Sequence, residues 1–502
     1  MNRSNQGEIG RSKAAGADFL QLRPEEAPTG GLADWLAGRF RDAIADGRLA
    51  VGSRLPATRQ LAAELQVSRG VVTEAYQRLT EDGHVSGRGR AGTVVVAAPI
   101  GTSSAASGHA RASRPALDDP GLEIFDAMRA VEARIDLTPG IPDLAAFPRA
   151  AWLKAERAVL AELSASAFGY GDPAGTPALR LAVANWLARN RGIKADPADL
   201  IIVAGVSQAI GLVAQVLGRE GITELAVEDP GSLGSRQHLH LWGMRTPPIP
   251  VDADGLRVDV LRDSGAPAVM VTPAHQFPTG VVLDGERRRE LMQWATDGGL
   301  ILEDDYDAEH RYDRPPVPAL RAMLAEHVIY MGSVSKLLAP ALRIGWMLPP
   351  PQYRQALVGA KRQADLGNAA LPQLVIAHLM ESGELERQLR YVRRRHRIRR
   401  DAMIEAIGRH LPTATVHGAA AGLHLTITFD DPDLTDLALA SAALDRAVKT
   451  QPLSWHCQHP RPPGLVLGYA ARTPTEITEA VATIGEALSA CSVDAVGAGE
   501  EK

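Results

Sequence analysis

The sequence predicts an α/β protein carrying a small helical head, and three observations carry that prediction. From about Ile135 onward, helical patterns alternate with short apolar runs, as expected for a mainly parallel sheet covered by helices. Ahead of that region, APIGTSSAASGHARASRPALDDPG has few large apolar residues, and its Ser, Ala, Gly and Pro content reads as a linker. Ahead of the linker, Leu32, Trp35, Leu36, Phe40 and Ile44 recur at steps of three and four, one face of a helix. The expected boundaries are an arm at 1–30, a head at 31–98, a linker at 99–134, a large domain at 135–490 and a tail at 491–502.

With 502 residues the chain is too long for one core, so several domains are expected. The net charge of −5 means that any nucleic-acid surface must be local. Two cysteines, Cys457 and Cys491, give no disulfide framework and fit a reducing cytoplasm. The first twenty residues lack the apolar run of a signal peptide. No apolar stretch has the length that spans a bilayer. A soluble, cytoplasmic protein with no membrane partner is expected.

Within the head, PATRQLAAELQVSRGVVTEAYQRLTED contains two short helical patterns joined by a turn at Gln66-Val67. Leu61, Leu65 and Val67 are expected to pack on Val72, Tyr76 and Leu79. Such a pair is a helix-turn-helix, whose second helix enters the major groove by its N-terminal end. Ser68, Arg69 and Gly70 stand there, suited to phosphates or base edges. GHVSGRGRAGTVVVA then reads as a two-stranded wing with Arg88 and Arg90 at its tip. The head holds nine Arg and no Lys against seven acids, so placement of the arginines carries more weight than net charge. GRGRAG fits G-x-G-x-x-G but follows a helix and precedes a strand, the wrong context for a dinucleotide site.

In the large domain, the apolar runs LIIVAG, ELAVED, AVMVTP, GLILEDD and HVIYMGS read as strands. Beyond His410, ATVHGAAAGLHLTITF and GLVLGYAA suggest a smaller α+β C-terminal lobe. EDDYD puts carboxylates at the carboxyl end of a buried strand, where open α/β sheets bind ligands. GSVSKLLAPALRIGW then places Lys336 behind two hydroxyl residues, with Arg343 seven positions on. A pyridoxal phosphate site needs an amine for a Schiff base, an acid opposite the ring nitrogen and a phosphate cradle. Lys336 supplies the amine and Asp304 the acid, while Tyr306 suits the ring's 3′ oxygen. Ser333, Ser335 and Arg343 suit the phosphate, as do Ser207 and Gln208 at the start of a helix. Taken singly, an acid cluster is more often surface and a lone lysine more often solvated.

Taken in order, the motifs resemble known families. GSRLPATRQLA, VSRGVVTEAYQRL, EDGHV and the glycine-bearing wing resemble the winged helix-turn-helix of GntR-type regulators. That resemblance implies that Arg59, Arg69 and the wing from Arg88 to Gly92 touch DNA. The large domain resembles fold-type I, pyridoxal-phosphate-dependent aminotransferases over roughly 350 residues. GIPDLAAFP, YGDPAGTPALR, EDPGSLGSR and TPAHQFPTG are similar to the MocR group, where this domain follows a GntR-type head. The resemblance implies a Schiff base on Lys336, Asp304 at the ring nitrogen, Arg343 on the phosphate and Tyr170 reaching the site of a partner in a homodimer.

Three positions depart from the aminotransferase pattern. Ser232 stands where a tyrosine usually follows Asp-Pro-Gly, and Phe277 stands where an asparagine commonly flanks the ring. The late strand GLVLGYAA has no arginine for a substrate carboxylate, leaving Arg461 or Arg472 as the nearest. Three other phrases take ordinary readings. WHCQHP lacks a second pair of metal ligands, so no metal is expected. RQLRYVRRRHRIRR reads as a solvated helix face, about twice as readily as a second DNA surface, and HLHLW as buried packing. The resulting expectation is a DNA-binding regulator that senses pyridoxal phosphate, or its adduct with a small amino compound, as effector. An aminotransferase with an accessory head is the alternative.

Overall fold

The computed structural model describes residues 22–28, 31–87, 92–96, 117–118, 120–312 and 317–497. They fall into two units, Met1–Gly108 and His109–Lys502. Most of the expected arm, much of the expected linker, and Arg88 and Arg90 at the wing tip lie outside the described residues.

In the first unit, helices α1 (Leu32–Ala45), α2 (Thr58–Glu64) and α3 (Arg69–Glu81) precede a hairpin of β1 (Val85–Gly87) and β2 (Thr93–Val95). The apolar spacing decides the packing: Leu36, Phe40 and Ile44 of α1 meet Leu61, Val72, Tyr76 and Leu79 in one core, while Leu65 and Val67 pack at its margin. The turn between α2 and α3 takes Gln66 into the left-handed region at φ 54°. Ser68 caps α3, its hydroxyl accepting from the Val71 N–H at 3.4 Å. Tyr76 donates its hydroxyl to the Pro56 carbonyl at 3.0 Å, which satisfies the one polar atom that this aromatic buries.

The second unit is built on eight strands: β4 (Ile201–Val203), β5 (Ala226–Asp229), β6 (Pro248–Asp252), β7 (Gly255–Leu256), β8 (Ala268–Val271), β9 (Leu300–Asp305), β10 (Val328–Ser333) and β11 (Gly345–Leu348), numbered after β3 (Ile135–Asp136). Their order is β4-β11-β10-β9-β8-β5-β6-β7. The five central strands run parallel, while β11 runs antiparallel to both of its neighbours. Side chains alternate between two cores. Ile202, Tyr330, Trp346 and Leu348 face one, and Ile201, Val203, Met331 and Met347 face the other. Burial on both faces is why these strands read as unbroken apolar runs.

The C-terminal lobe is an antiparallel sheet in the order β12 (Ala414–His417), β13 (His424–Phe429), β16 (Gly464–Gly468), β15 (Gln451–Pro452). The intervening β14 (Val448–Lys449) pairs in parallel with β3. Among the described residues no helix is long and apolar enough to cross a membrane.

Four expectations need correction. The stretch assigned to the linker already belongs to the fold near its end: α4 (Ile124–Ala130) and Leu117 bury Leu117, Ile124 and Met128 in the core of the C-terminal lobe. The Trp455 indole N–H donates to the Leu117 carbonyl at 2.8 Å. At the other end, the final helix Pro474–Gly497 runs through most of the expected tail. In HLHLW only Leu239 is buried, while Leu241 and Trp242 are exposed. On the arginine-rich helix Glu384–His410, Arg399 is buried while Ile398 is exposed. Arg395 and Arg399 reach Asp143 at 2.7 and 2.8 Å, so part of that arginine run is internal structure rather than a solvated face.

Candidate functional site

A cavity of about 970 Å³ opens where the sheet meets the C-terminal lobe. Strand ends supply its floor: Gly205 and Ser207 follow β4, Thr272 follows β8, Asp304 and Tyr306 close β9, and Ser333, Ser335 and Lys336 follow β10. Parallel strands send all their carboxyl ends to one edge, which is why residues distant in sequence converge there.

Lys336 lies on the cavity wall, its ammonium donating to the Gly140 carbonyl. Gly140 has a φ of +82°, and a Cβ there would stand 2.9 Å from Nζ. Glycine suits that left-handed conformation and leaves the Lys336 amine its room. Burial lowers the Lys336 pKa, with the carboxylates of Asp307 and Asp304 opposing. Asp304 is pushed the other way, up to about 7, chiefly by burial and then by Asp305 and Asp307, while Lys336 pulls it down. Its Oδ1 is buried with no hydrogen-bond partner. The neighbouring Asp305 is spent on structure, accepting from Arg191 Nε and the Tyr330 hydroxyl, each at 2.5 Å.

The helix Val206–Arg219 begins behind Gly205, which also lines the cavity. Its first intrahelical bond is from Ala209 N–H to the Gly205 carbonyl, so the earlier N–H groups of that turn are available to an anion. Ser207 lines the cavity beside them. Arg343, at φ 50°, lines it as well and donates to the Ala204 carbonyl. Ser333 is buried, its hydroxyl accepting from Ser335 N–H at 3.3 Å. The side chain of Gln208 is not part of this group. It bridges Ala204 N–H at 2.8 Å and Asp365 at 2.7 Å, which leaves only its main chain facing the helix end. Tyr170 is 95% exposed and lines no part of this cavity.

The departures noted in the sequence have structural consequences. Ser232 caps the helix Leu233–Leu241, accepting from Ser235 N–H at 3.2 Å, and offers no ring to a bound ligand. Phe277 packs edge-on against His456 and His424 at 5.0 and 5.1 Å. Arg461 donates to the carbonyls of Asp229 and Val251, and Arg472 to that of Asp136 at 2.9 Å. Neither lines the cavity.

Other lining residues were not legible as site residues: Gly140, Thr138, Arg236, Lys449 and His456. They come from the loop after β3, from the helix Leu233–Leu241 and from the C-terminal lobe. Gly140 and Arg236 fall inside GIPDLAAFP and EDPGSLGSR, but nothing in those motifs marked them as lining a cavity. Behind Tyr306, His275 shares its Nδ1 between the Tyr306 hydroxyl at 3.0 Å and Asp307 at 2.9 Å. His424 lies beside them, so two histidines and a carboxylate stand within 4.8 Å of one another. His424 Nε2 is already bonded to the Pro278 carbonyl at 3.1 Å, and the group is a hydrogen-bonded cluster. In WHCQHP, His456 is buried and His459 holds Asp229 at 2.6 Å.

In the first unit, the N-terminal end of α3 leaves Ser68, Arg69 and Gly70 exposed, and Arg59 is exposed on the first turn of α2. Gly92 opens the second wing strand at φ +79°. Ser68, Arg69, Gly70 and Arg59 are thus open to solvent at the N-terminal ends of α2 and α3.

Residues 32–95 match the family of bacterial regulatory proteins, gntR family, and residues 133–484 match aminotransferase class I and II. Among curated relatives, the probable rhizopine catabolism regulatory protein MocR of Rhizobium meliloti is 31% identical, over 90% of this chain and 92% of that protein. The HTH-type pyridoxine biosynthesis transcriptional regulator PdxR of Corynebacterium glutamicum is 31% identical, over 85% of this chain and 89% of its own length. Among solved structures, the α-aminoadipate aminotransferase LysN of Thermus thermophilus, complexed with N-(5′-phosphopyridoxyl)-L-leucine, superposes with a TM-score of 0.65 at 26% identity, covering 72% of this chain and 93% of that one. Both halves and their order are thus accounted for, and the chain belongs to the MocR group of GntR-family transcriptional regulators, a winged helix-turn-helix head fused to an aminotransferase class I and II domain.

Proposed function

We propose that this DNA-binding regulator senses pyridoxal 5′-phosphate, or the adduct of that cofactor with a small amino compound, through Lys336. The observation that carries the reading is the buried, unpartnered Oδ1 of Asp304 beside the Lys336 amine. A buried acceptor left unpaired costs roughly 1–3 kcal/mol, and a protonated ring nitrogen is the partner that would satisfy it. When bound, pyridoxal phosphate supplies an aldehyde that condenses with amines and a ring that withdraws electrons.

The chain's own residues then have distinct tasks. Lys336 offers its amine, and Asp304 holds the ring nitrogen. Tyr306 donates to the ring oxygen, its pKa raised by burial and by Asp307 and Asp304, so the phenol keeps its proton at neutral pH. Arg343, Ser207, Ser335 and the first-turn N–H groups hold the phosphate, with Ser333 bracing Ser335. Were an amino compound to engage the cofactor in place of Lys336, that side chain would be freed and the charge beside Asp304 would change, a differential interaction of the kind that biases two conformations. Tyr170, exposed on this chain, is assigned to the cofactor phosphate of a second copy in a homodimer.

The test is operator binding on the gene's own upstream region, with and without pyridoxal phosphate. A shift of about 5- to 150-fold in affinity is expected for a coupled effector. Identical binding curves would sink the sensing account while leaving the DNA-binding head intact. On that same operator, Arg69→Ala or Arg59→Ala is expected to cost about 1–3 kcal/mol where the arginine meets a base; an unaltered footprint and affinity would remove that residue from the interface.

Efficient transamination is a weaker reading. It is favoured by Lys336 in the cavity, but Arg461 and Arg472 are committed to backbone carbonyls elsewhere. Turnover of an amino acid with a keto-acid acceptor, measured on the purified protein, discriminates the two readings.

A further inference from the structure

Behind the residues assigned to the cofactor lies a pair that those assignments leave unused. His275 and Asp307 are 2% and 1% exposed, on the loops that follow the adjacent parallel strands β8 and β9. The C-terminal lobe clamps them. Gly422 has a φ of +85°, and a Cβ there would stand 2.0 Å from His275 Cε1 and 2.9 Å from Asp307 Oδ2. The Gly422 carbonyl is itself held by the hydroxyls of Tyr312 at 2.6 Å and Tyr469 at 2.7 Å. The polar atoms of this cluster are held close enough for their hydrogen bonds to be assigned group by group.

The hydrogen positions follow from what each group can do. Asp307 Oδ2 is 2.9 Å from His275 Nδ1, and a carboxylate only accepts, so Nδ1 carries the ring proton. The Tyr306 oxygen lies 3.0 Å from the same Nδ1, and with that nitrogen protonated the phenol cannot donate to it. Two directions remain for the Tyr306 hydrogen, toward Asp307 or into the cavity. Tyr306 does share a hydrogen bond with Asp307, but His275 Nδ1–H donates to the same carboxylate and, by drawing on its charge, weakens its competition for the phenol hydrogen. We infer that His275 and Asp307 are positioning residues for Tyr306, turning its hydroxyl hydrogen into the cavity toward the ring oxygen of pyridoxal phosphate.

The inference rests on the reading of Tyr306 as a donor to that oxygen, and Tyr306→Phe tests that reading alone. Other groups also surround the pair. Asp304 and Glu228 face Tyr306, while His424 and His310 stand near His275. None of these changes in the variants below, so their influence is common to every sample.

The experiment follows the absorbance of the full-length protein saturated with pyridoxal phosphate as a function of pH. A hydrogen bond donated to the cofactor's ring oxygen draws off negative charge and weakens that oxygen's hold on a neighbouring proton. Losing the bond therefore raises the midpoint of the spectral change, by about one pH unit for a charge-assisted bond. Tyr306→Phe is expected to give that rise. His275→Leu, which leaves Asp307 free to accept the Tyr306 hydrogen bond in full, is expected to give most of it. His275→Asn, which keeps an N–H near the position of Nδ1, is expected to stay close to the parent value. The double variant should move no further than Tyr306→Phe, since both changes act on one bond.

A His275→Leu midpoint equal to the parent's, or a shift that adds in full to that of Tyr306→Phe, overturns the inference. A silent Tyr306→Phe overturns instead the assignment of the phenol to the ring oxygen. Should His275→Leu not fold, nitrogen NMR of histidine-labelled parent protein, with His275→Asn to assign the signal, reads the tautomer directly. Protonated Nδ1 and bare Nε2 are expected; the reverse tautomer overturns the inference.

Discussion

Lys336→Ala leaves a protein that yields no borohydride-stable adduct on the cavity wall after incubation with pyridoxal phosphate. The expectation is all-or-none because the chemistry needs a neutral amine beside the aldehyde. Burial lowers the pKa of Lys336, which raises the share of neutral amine near pH 7, and Gly140 and Asp304 hold its neighbourhood fixed. The cavity has a second lysine among the described residues, Lys449. Its Nζ donates to the Val131 carbonyl at 2.7 Å and faces Asp136 at 3.5 Å, so its amine is committed to structural contacts. Peptide mapping of the reduced adduct distinguishes the two. A label that persists in Lys336→Ala and maps to Lys449 would move the sensing chemistry to that residue. With the label gone and circular dichroism unchanged, the loss is chemical rather than a failure to fold.

Much of the fold was legible because its strands are buried on both faces. LIIVAG, ELAVED, AVMVTP, GLILEDD and HVIYMGS correspond to β4, β5, β8, β9 and β10, and alternation was never needed to find them. The unread strands have physical reasons for their silence. β6 contains Pro248 and Pro250 and lies one strand from the sheet edge, where the two-residue β7 pairs with it; prolines argue against a strand until that position is known. The region of Leu117 to Met128 read as linker because three apolar anchors are too sparse to form a pattern.

The site divides in the same way. Asp304, Tyr306 and Lys336 were readable because each lies at or within three residues of a strand's carboxyl end, so strand position fixes where the side chain emerges. Gln208 was misplaced because a helix start predicts where N–H groups point and says nothing of a flexible side chain, which here turned to Asp365. His275 and Asp307 are 32 residues apart in sequence, and only the pairing of β8 with β9 and the closing of the C-terminal lobe bring them to one phenol. Contacts made by tertiary closure leave no periodic trace.

Phe40→Ala is expected to unfold the DNA-binding head and leave the cofactor chemistry untouched. Phe40 is fully buried in α1 and meets Tyr76 of α3 edge-on at 5.6 Å. Truncating a buried phenylalanine costs about 3–5 kcal/mol through lost burial and the cavity left behind. A head of this size has a total stability of only about 3–10 kcal/mol, so one such change removes much or all of it. The core involved is separate: Leu36, Phe40, Leu61, Val72 and Tyr76 pack in a cluster that contains only residues of the first unit. The measurement pairs two signals on one sample, operator binding and the absorbance of bound pyridoxal phosphate. Binding falls by at least tenfold and the spectrum stays at its parent shape if the two units fold on their own cores. A variant that loses both signals together would mean that the aminotransferase domain depends on the head for its folding. Sensing would then have to be understood as a property of the whole chain, rather than of a cofactor cavity joined to a groove-reading domain.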